Sequence, residues 1–187
     1  MPVQLHSLTA QQLEDKTLQY QLGEVYQAAF NIQKKSEGAE RLAEMLEMHR
    51  SREGLLCFIA QNDADQRIVG FIYGYTSRPG YWWFDTVSRA MSRTALQIWF
   101  EHAFEVVELA VHPSFQGQGI GGRLHDSLLA ALPPNTYTTA LLSTDPGETN
   151  ARHLYNKRGW VPLLEDFYFP GRRTPMVIMG LDLEAHT

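Results

Sequence analysis

Cysteine is almost absent from this sequence, since Cys57 is alone among 187 residues. A single thiol excludes an internal disulfide framework, and such usage is typical of proteins in a reducing compartment. No apolar run approaches the roughly 20 residues that cross a bilayer. The opening segment MPVQLHSL also lacks the basic start and apolar stretch of a secretory signal. We therefore expect a cytoplasmic protein with no membrane partner.

Basic residues are also in deficit, with 16 lysines and arginines against 21 aspartates and glutamates and a formal net charge of −5. This balance provides no general attraction for nucleic acid, so none is predicted as a partner. The seven histidines are scattered without the spacing of a metal site, and no metal is predicted. Repeats, low-complexity tracts and linker-like boundaries are missing too. With 44% hydrophobic residues, the chain is expected to form one domain over residues 1–187.

Alternating and helical patterns of apolar residues predict an α+β fold with a mostly antiparallel, partly mixed sheet. The turn between LLCFIA (55–60) and IVGFIYGY (68–75) is too short for a crossover, so these strands should form an antiparallel hairpin. In the first half of the chain, the other predicted elements are a strand at 3–8, a helix after a capping box of Thr9 and Gln12 with an interruption near Gly23, a helix at 36–50, and a helix with Asp85 as its N-cap inside 80–103. In the second half they are a strand at 104–111, a helix that begins after Gly122 and ends at Leu132, a strand at 137–143, a helix at 150–158 ending at Gly159, and strands at 163–169 and 176–183.

A glycine-rich turn separates the strand at 104–111 from the helix that follows it. Gly117, Gly119, Gly121 and Gly122 let the backbone approach a ligand and adopt dihedral angles that a side chain disfavours. The first N–H groups of the helix have no intrahelical partner and, with the positive end of the helix dipole, point at this turn. Phosphate oxygens suit such a place. We therefore expect a phosphate-bearing ligand that is held mostly by main chain.

The same glycines fit a dinucleotide pattern. Gly117, Gly119 and Gly122 satisfy G-x-G-x-x-G, and Asp145 lies near the ~20-residue offset of a ribose contact. That fingerprint normally follows the first strand of a doubly wound domain. Here it falls past the middle of the chain, and too little sequence follows to build the second half of such a domain. The pattern alone is therefore weak support for a dinucleotide enzyme.

A second template accounts for more of the chain. Gln116-x-x-Gly119-x-Gly121 resembles the acetyl-CoA signature of the GCN5-related N-acetyltransferase (GNAT) superfamily, Q/R-x-x-G-x-G/A. NARHLYNKRGW (150–160) is similar to that family's N-A-x-x-L-Y-x-x-x-G-F/W segment, and the order of predicted elements matches throughout. The resemblance implies the GNAT acyl-CoA acyltransferase fold, an α/β three-layer arrangement with helices flanking a mixed, mostly antiparallel sheet.

The resemblance also implies an acetyl-CoA-dependent N-acetyltransferase. Acetyl-CoA would be the co-substrate, and the acetyl group would pass directly to a primary amine of a small-molecule or peptide acceptor. The alternative is a non-catalytic acyl-CoA-binding or regulatory module of the same fold, which the intact segment 150–160 disfavours. Either a monomer or a homodimer is compatible with this interpretation.

Donor-binding residues follow from the family pattern. Main-chain groups of 109–111 would pair with pantetheine, N–H groups of 116–122 would hold the pyrophosphate, and Asn150 would bind or orient the pantetheine arm. Gln116 stands where many relatives have arginine, so binding should depend more on backbone donors and on Arg123. The full set of implied residues is Leu109, Ala110, Val111, Gln116, Gly117, Gln118, Gly119, Ile120, Gly121, Gly122 and Asn150.

Two residues are candidates for catalysis. Tyr155 matches a tyrosine that lies near the CoA sulfur in many relatives, where a phenol can protonate the thiolate leaving group; otherwise it is a packed aromatic residue. Glu108, a carboxylate in an apolar strand, is the leading candidate for the base that deprotonates the amine, and the alternatives are an exposed glutamate or a base formed by ordered water. Reserve candidates are Glu105, Glu101, Asp85 and Tyr73. Covalent catalysis by Cys57 is the minor alternative to core packing.

An aromatic-rich helical insert at about 80–103 distinguishes this chain from the family pattern. Trp82, Trp83 and Phe84 are candidates for an acceptor pocket or a lid. Alternatively, the insert packs on the sheet or covers a dimer interface. His112, in the corner after the strand at 104–111, is expected to be structural.

Overall fold

The computed structural model describes residues 2–33 and 37–186, and it confirms an α+β protein with a mixed, mostly antiparallel sheet. Its seven strands are ordered β1-β2-β3-β4-β5-β7-β6. The β1–β2, β2–β3, β5–β7 and β6–β7 pairs are antiparallel, and the β4–β5 pair is parallel. The strands are β1 (Val3–Leu8), β2 (Leu56–Asn62), β3 (Ile68–Thr76), β4 (Ala103–Val111), β5 (Thr139–Thr144), β6 (Val161–Phe167) and β7 (Met176–Asp182). The helices are α1 (Lys16–Ala29), α2 (Glu37–His49), α3 (Trp82–Ser88), α4 (Arg93–Trp99), α5 (Ile120–Ala130) and α6 (Asn150–Lys157).

The described chain divides into two compact units. Unit 1 comprises residues up to Tyr75 together with Glu108–Ala131, and unit 2 comprises Thr76–Val107 together with the residues from Leu132 onward. Strand β4 therefore contributes its first residues to unit 2 and its last residues to unit 1. In the described part of the chain, none of the helices has the length and apolar character that crossing a bilayer requires. The organisation of residues 1–187 as one domain stays a prediction.

Helix α1 of unit 1 begins later than the sequence pattern indicates. Thr9 and Gln12 do form a capping box, in which the Thr9 N–H donates to Gln12 Oε1 at 2.9 Å and the Gln12 N–H donates to Thr9 Oγ1 at 3.2 Å. The box closes only a 3-10 turn at Gln12–Glu14. The α-helix starts after Asp15, whose carboxylate accepts the Thr17 N–H at 2.7 Å. The helix therefore begins at a second N-cap, Asp15, and the predicted start directly after the capping box is wrong.

Helix α1 passes through Gly23 without a break, which corrects the predicted interruption. A Cβ atom added at Gly23 would lie 2.5 Å from the Cα atom of Ala39 in α2, and one added at Gly38 would lie 2.7 Å from the Cβ atom of Gln27. The glycines are thus required by a close helix–helix contact rather than by a turn. The predicted α2 is present; its predicted first residue, Ser36, lies outside the described residues.

We expect Gly23→Ala to destabilise the protein by about 1–3 kcal/mol, because the added methyl group forces two helix backbones apart. This loss should exceed the helix-propensity gain of up to about 1 kcal/mol that alanine has over glycine. The measurement is the free energy of unfolding in urea. The control is Glu24→Ala at the next, exposed position, which should change stability by less than about 0.5 kcal/mol. A Gly23→Ala variant that melts at or above the wild-type temperature would contradict the close contact.

A buried polar cluster joins the end of α2 to β3. The Tyr73 hydroxyl lies 3.1 Å from His49 Nδ1, and both side chains are buried. The Arg52 guanidinium donates to the Tyr75 hydroxyl and lies 4.5 Å from the centre of that ring. Burial, with a smaller contribution from the Arg52 charge, lowers the pKa of His49 to about 4. This histidine is therefore neutral in the folded protein near pH 7.

The lowered His49 pKa predicts an acid-dependent loss of stability. The ordinary histidine pKa is about 6.5, so between that pH and about pH 4 the unfolded chain binds more protons than the folded chain. The free energy of unfolding should therefore fall as the pH decreases through this window. Urea midpoints measured across it should decline less steeply for His49→Gln than for the wild type. His6→Gln, at an exposed position of β1, should leave the slope unchanged, and parallel profiles for all three proteins would refute the prediction.

The aromatic segment of unit 2 forms two short helices instead of the single predicted helix. Helix α3 has Tyr81 as its N-cap without a side-chain hydrogen bond. Asp85 lies in the first turn, where its carboxylate accepts the Gly80 N–H at 3.0 Å, so it is not the predicted cap. Ser92 caps α4 by accepting the Ala95 N–H at 3.1 Å.

This segment packs into the core of unit 2. The Thr139 hydroxyl donates to the Trp99 carbonyl at 2.9 Å. The Trp99 ring covers Gly180 of β7, where an added Cβ would approach it to 2.6 Å. Four residues of the segment form one buried cluster with residues of the sheet and its loops: Trp83, Val87, Phe100 and Ala103 with Leu141, Phe169, Met176 and Ile178. Phe84, Met91, Leu96 and Trp99 pack against this cluster. Most of the insert at 80–103 therefore packs on the rest of unit 2, which is one of the alternatives given by the sequence.

Candidate functional site

In unit 1, the end of β4 is turned sharply into the glycine loop. The His112 N–H donates to the Val69 carbonyl of β3 at 2.8 Å, and the His112 ring accepts the Ser114 N–H at Nδ1 at 3.3 Å. A 3-10 turn at Pro113–Phe115 follows, with Phe115 buried. His112 thus has a structural role, as predicted, and Gln116 directly follows the turn.

Gly117 and Gly119 both adopt left-handed backbone conformations, with φ angles of 74° and 77°. Gly119 is the N-cap of α5, so the unsatisfied first N–H groups of this helix face the turn. A Cβ atom at either glycine would meet no protein atom within 4 Å. Backbone conformation, rather than crowding by protein, therefore requires these glycines, and the turn opens to solvent. Such an exposed set of main-chain donors at a helix start can hold an anion.

The polar side chains around this turn are already engaged with the backbone. Gln116 Nε2 donates to the Val111 carbonyl at 2.9 Å, which closes the loop over the end of β4. The Arg123 guanidinium donates to the Val3 carbonyl of β1 at 2.9 Å. Arg123 is exposed, and its part in binding an anion at the turn stays a prediction. The main-chain N–H groups at the start of α5 are the other donors available within unit 1.

The other predicted donor-binding residues of unit 1 lie on β4 and on the first turn of α5. Ala110 is buried, whereas Leu109 and Val111 are half-buried. Glu108, the candidate base, precedes them on β4 and is also half-buried. Gly70 on β3 allows the close approach of this strand end, because a Cβ there would lie 3.1 Å from the Ala110 carbonyl oxygen. In α5, Ile120 and Gly122 are buried, Gly121 is half-buried, and Gln118 is exposed in the turn.

In unit 2, helix α6 carries the two predicted residues of the segment 150–160. Asn150 is exposed in the first turn, after Thr149, whose hydroxyl accepts the Arg152 N–H at 3.1 Å. Tyr155 is only 6% exposed, and its ring centre lies 5.6 Å from that of Trp160. The predicted left-handed cap is confirmed, since Gly159 has φ of 79°. A mostly buried phenol is protected from bulk water, which suits a proton donor to a leaving group.

The three aromatic candidates for acceptor binding have different environments. Trp83 is buried, and its indole N–H donates to the Ser143 hydroxyl at 3.3 Å. Phe84 packs edge-on against Phe100, with ring centres 5.4 Å apart. Trp82 is 58% exposed and stacks on Phe169 at 5.4 Å. Of the three, Trp82 presents the largest accessible surface to a ligand. Ser143 was not identified from sequence, because no motif marks it.

The reserve candidates are scattered over the two units. Glu105 and Tyr73 are buried, whereas Glu101 is exposed. Cys57 is buried, and burial raises the pKa of its thiol to about 12, which disfavours a nucleophilic thiolate. Asp145, the ribose candidate of the dinucleotide pattern, forms a 2.7 Å ion pair with Arg172. The described residues include no group of three or more potential metal ligands, and the absence of a metal stays a prediction.

Solved structures that resemble the whole chain identify its fold. A structure from Desulfovibrio desulfuricans assigned to the GNAT family has a TM-score of 0.68, with 14% identity, over 97% of this chain and 99% of that one. The structure of the NatC complex bound to Gag peptide and CoA has a TM-score of 0.63, with 13% identity, over 97% and 99% of the two chains. At these identities the similarity establishes the fold, and the expected GNAT fold is confirmed.

The family follows from the sequence itself. The model of the Acetyltransferase (GNAT) family matches residues 20–160, well over half of the chain. A GCN5-like protein acetyltransferase of Mycobacterium tuberculosis is 28% identical over 121 residues, which cover 62% of this chain and 59% of that protein. The chain thus spans only 59% of the length of this relative. This protein belongs to the GNAT family of acetyltransferases, as its two sequence motifs predicted.

Proposed function

We propose that this protein is an N-acetyltransferase that transfers the acetyl group of acetyl-CoA directly to a primary amine. The observation that carries the proposal is the open turn at Gly117 and Gly119, with main-chain donors at the start of α5. The pyrophosphate of CoA carries the negative charge that main-chain donors at a helix start favour. We further propose that the reaction occurs in the cytoplasm, in agreement with the single cysteine.

The proposed reaction has one bond-forming and one bond-breaking event. The neutral amine nitrogen attacks the thioester carbonyl carbon, the N–C bond forms, and the C–S bond breaks. Tyr155 donates its phenolic proton to the departing CoA thiolate. The proton that the amine loses passes to Glu108 or to water. Family membership and the position of Tyr155 on α6 support this assignment.

The decisive experiment combines binding with turnover. Acetyl-CoA binding is measured by calorimetry, and release of the CoA thiol is then followed with small amines, polyamines, aminoglycosides and peptides bearing a free N-terminus or a lysine. Peptides are included because the mycobacterial relative is named a protein acetyltransferase. We expect acceptor-dependent thiol release and an acetylated product by mass spectrometry. Tight acetyl-CoA binding without thiol release for any acceptor would favour the non-catalytic module, and binding of NAD(P) instead of CoA would favour the dinucleotide interpretation.

A further inference from the structure

Strand β1 is an end strand of the sheet, and among the described residues it is paired on its β2 side alone. An uncovered edge strand is a template for pairing with another chain, so proteins commonly protect such edges with proline, charged residues or bulges. Strand β6, at the other end of the strand order, has all three, with Pro162, Glu165, Asp166 and two register shifts against β7. Strand β1 (VQLHSL) contains no proline and no aspartate, glutamate, lysine or arginine, and its register with β2 is continuous from Val3 to Leu8. It therefore lacks the features that keep another strand away.

The hydrogen-bond pattern of β1 shows which of its main-chain groups point to the outer edge. Residues of an antiparallel strand alternate between those bonded to the paired strand and those whose N–H and C=O groups point to the other side. The Asp63 N–H donates to the Pro2 carbonyl at 3.1 Å, so the even-numbered residues of β1 are the ones bonded to β2. The outward main-chain groups are then those of Val3, Leu5 and Ser7.

An open groove runs beside this outer edge within unit 1. It has a volume of about 620 Å³ and is lined by Val3, Gln4 and Leu5 of β1 and by Arg123, Asp126 and Ser127 of α5. The Arg123 guanidinium donates to the Val3 carbonyl at 2.9 Å, which agrees with the outward direction of that group. Arg123 and Asp126 are both exposed, so the groove has one positive and one negative side chain. A matching partner presents strand main chain to the edge and both signs of charge to the groove.

We propose that this partner is a second copy of the chain, whose β1 pairs with β1 of the first in an antiparallel arrangement about a two-fold axis at Leu5. The two Leu5 residues exchange N–H···O bonds, and the Ser7 N–H of each copy donates to the Val3 carbonyl of the other. That carbonyl has a second lone pair, so it can also keep the Arg123 contact. The axis brings the Arg123 end of each groove toward Asp126 of the other copy, so the same surface complements itself. The proposal concerns assembly and does not depend on the proposed acetyl transfer.

The first test is the association of the wild-type protein. Pairing of two six-residue strands buries little surface, so we expect a weak monomer–dimer equilibrium, seen by analytical ultracentrifugation between about 1 μM and about 300 μM. Amide hydrogen exchange followed by NMR should protect the Leu5 and Ser7 N–H groups only at high concentration. The Gln4 and His6 N–H groups, which are bonded to β2, should be protected throughout. A monomer at every concentration, or a dimer without added protection of Leu5 and Ser7, would overturn the proposal.

The second test removes one outward donor. Ser7→Pro deletes an N–H that points to the outer edge but no hydrogen bond of the β1–β2 ladder. It should weaken the dimer by about tenfold to a hundredfold, because both symmetric Ser7–Val3 hydrogen bonds are lost. The matched control is Ser7→Ala, which keeps the N–H at this exposed position and should dimerise as the wild type does. A Ser7→Pro dimer of wild-type affinity would overturn the proposal.

A charge variant makes the test independent of proline. Leu5→Lys places two lysines directly opposite each other on the two-fold axis, where like charges destabilise a strand pair, and it should also weaken the dimer at least tenfold. His6→Lys adds the same charge at an exposed position, but its neighbour across the axis is the neutral Gln4, so its dimer should resemble that of the wild type. Urea unfolding of each variant at low concentration verifies that the monomer is folded. Equal dimer affinities of Leu5→Lys and His6→Lys would contradict pairing about Leu5.

Discussion

Replacing Tyr155 with phenylalanine should lower kcat by about a hundredfold to ten-thousandfold, which is the range for loss of a positioned proton donor. Phenylalanine retains the ring, so the packing of this buried side chain against Trp160 should persist. The affinity for acetyl-CoA should therefore stay unchanged while turnover falls. Single-turnover kinetics with a reactive amine, together with calorimetric titration of acetyl-CoA, would separate the two effects.

The matched control for this experiment is Tyr168→Phe. Tyr168 is a tyrosine of the same unit that is 58% exposed, and it has no assigned role. Its variant should retain wild-type turnover. If Tyr155→Phe also retained turnover, the leaving thiolate would have to be protonated by another group or by water, and Tyr155 would be only a packed aromatic residue. If acetyl-CoA binding fell in parallel with kcat, the phenol would contribute to ligand binding rather than to proton transfer.

Alanine at Gly119 should have the second large effect. The left-handed backbone conformation, with φ of 77°, costs an alanine roughly 1–2 kcal/mol, so stability should fall by about that amount. The new methyl group would also occupy space that contains no other protein atom within 4 Å, where the proposed function places the CoA phosphates. We therefore expect the affinity for acetyl-CoA to fall by about tenfold to a hundredfold, as when hydrogen bonds to a charged group are lost.

Gly171→Ala provides the control for backbone strain. Gly171 has φ of 80°, is exposed, and would place its Cβ in open space as well. The two variants should therefore lose similar stability, and only Gly119→Ala should lose acetyl-CoA affinity. Equal affinity in both variants would mean that the glycine turn does not hold the ligand. Calorimetric titration and urea unfolding of both proteins give the two quantities.

Local features of the sequence predicted much of the fold. The hairpin of β2 and β3, the strand–turn–helix of β4 and α5, and the cap at Gly159 are each confirmed. These elements are encoded by short-range patterns, because apolar periodicity, glycine and proline act within a few residues. The family motifs were also local, at 116–121 and 150–160, and the family that they predicted is confirmed.

Errors arose where a distant contact competed with the local pattern. Gly23 looked like a helix break, but it lies inside α1 because Ala39 of α2 comes too close for a side chain. Asp85 looked like a cap, but the helix begins earlier, so its carboxylate binds the Gly80 N–H from within the first turn. The contact of the Arg123 guanidinium with the Val3 carbonyl, 120 residues away in sequence, was also not indicated by any local pattern, and the role of Arg123 in binding stays a prediction.

The sequence by itself determined the fold class, the family and the position of the glycine turn that is proposed to bind phosphate, because each depends on contiguous residues with fixed spacing. Only the tertiary structure decided which partners the charged side chains have. The Arg123 guanidinium donates to the Val3 carbonyl of β1, and Asp145 forms an ion pair with Arg172. The physical reason is that the environment of a long, flexible side chain depends on elements that are remote in sequence and become neighbours only on folding.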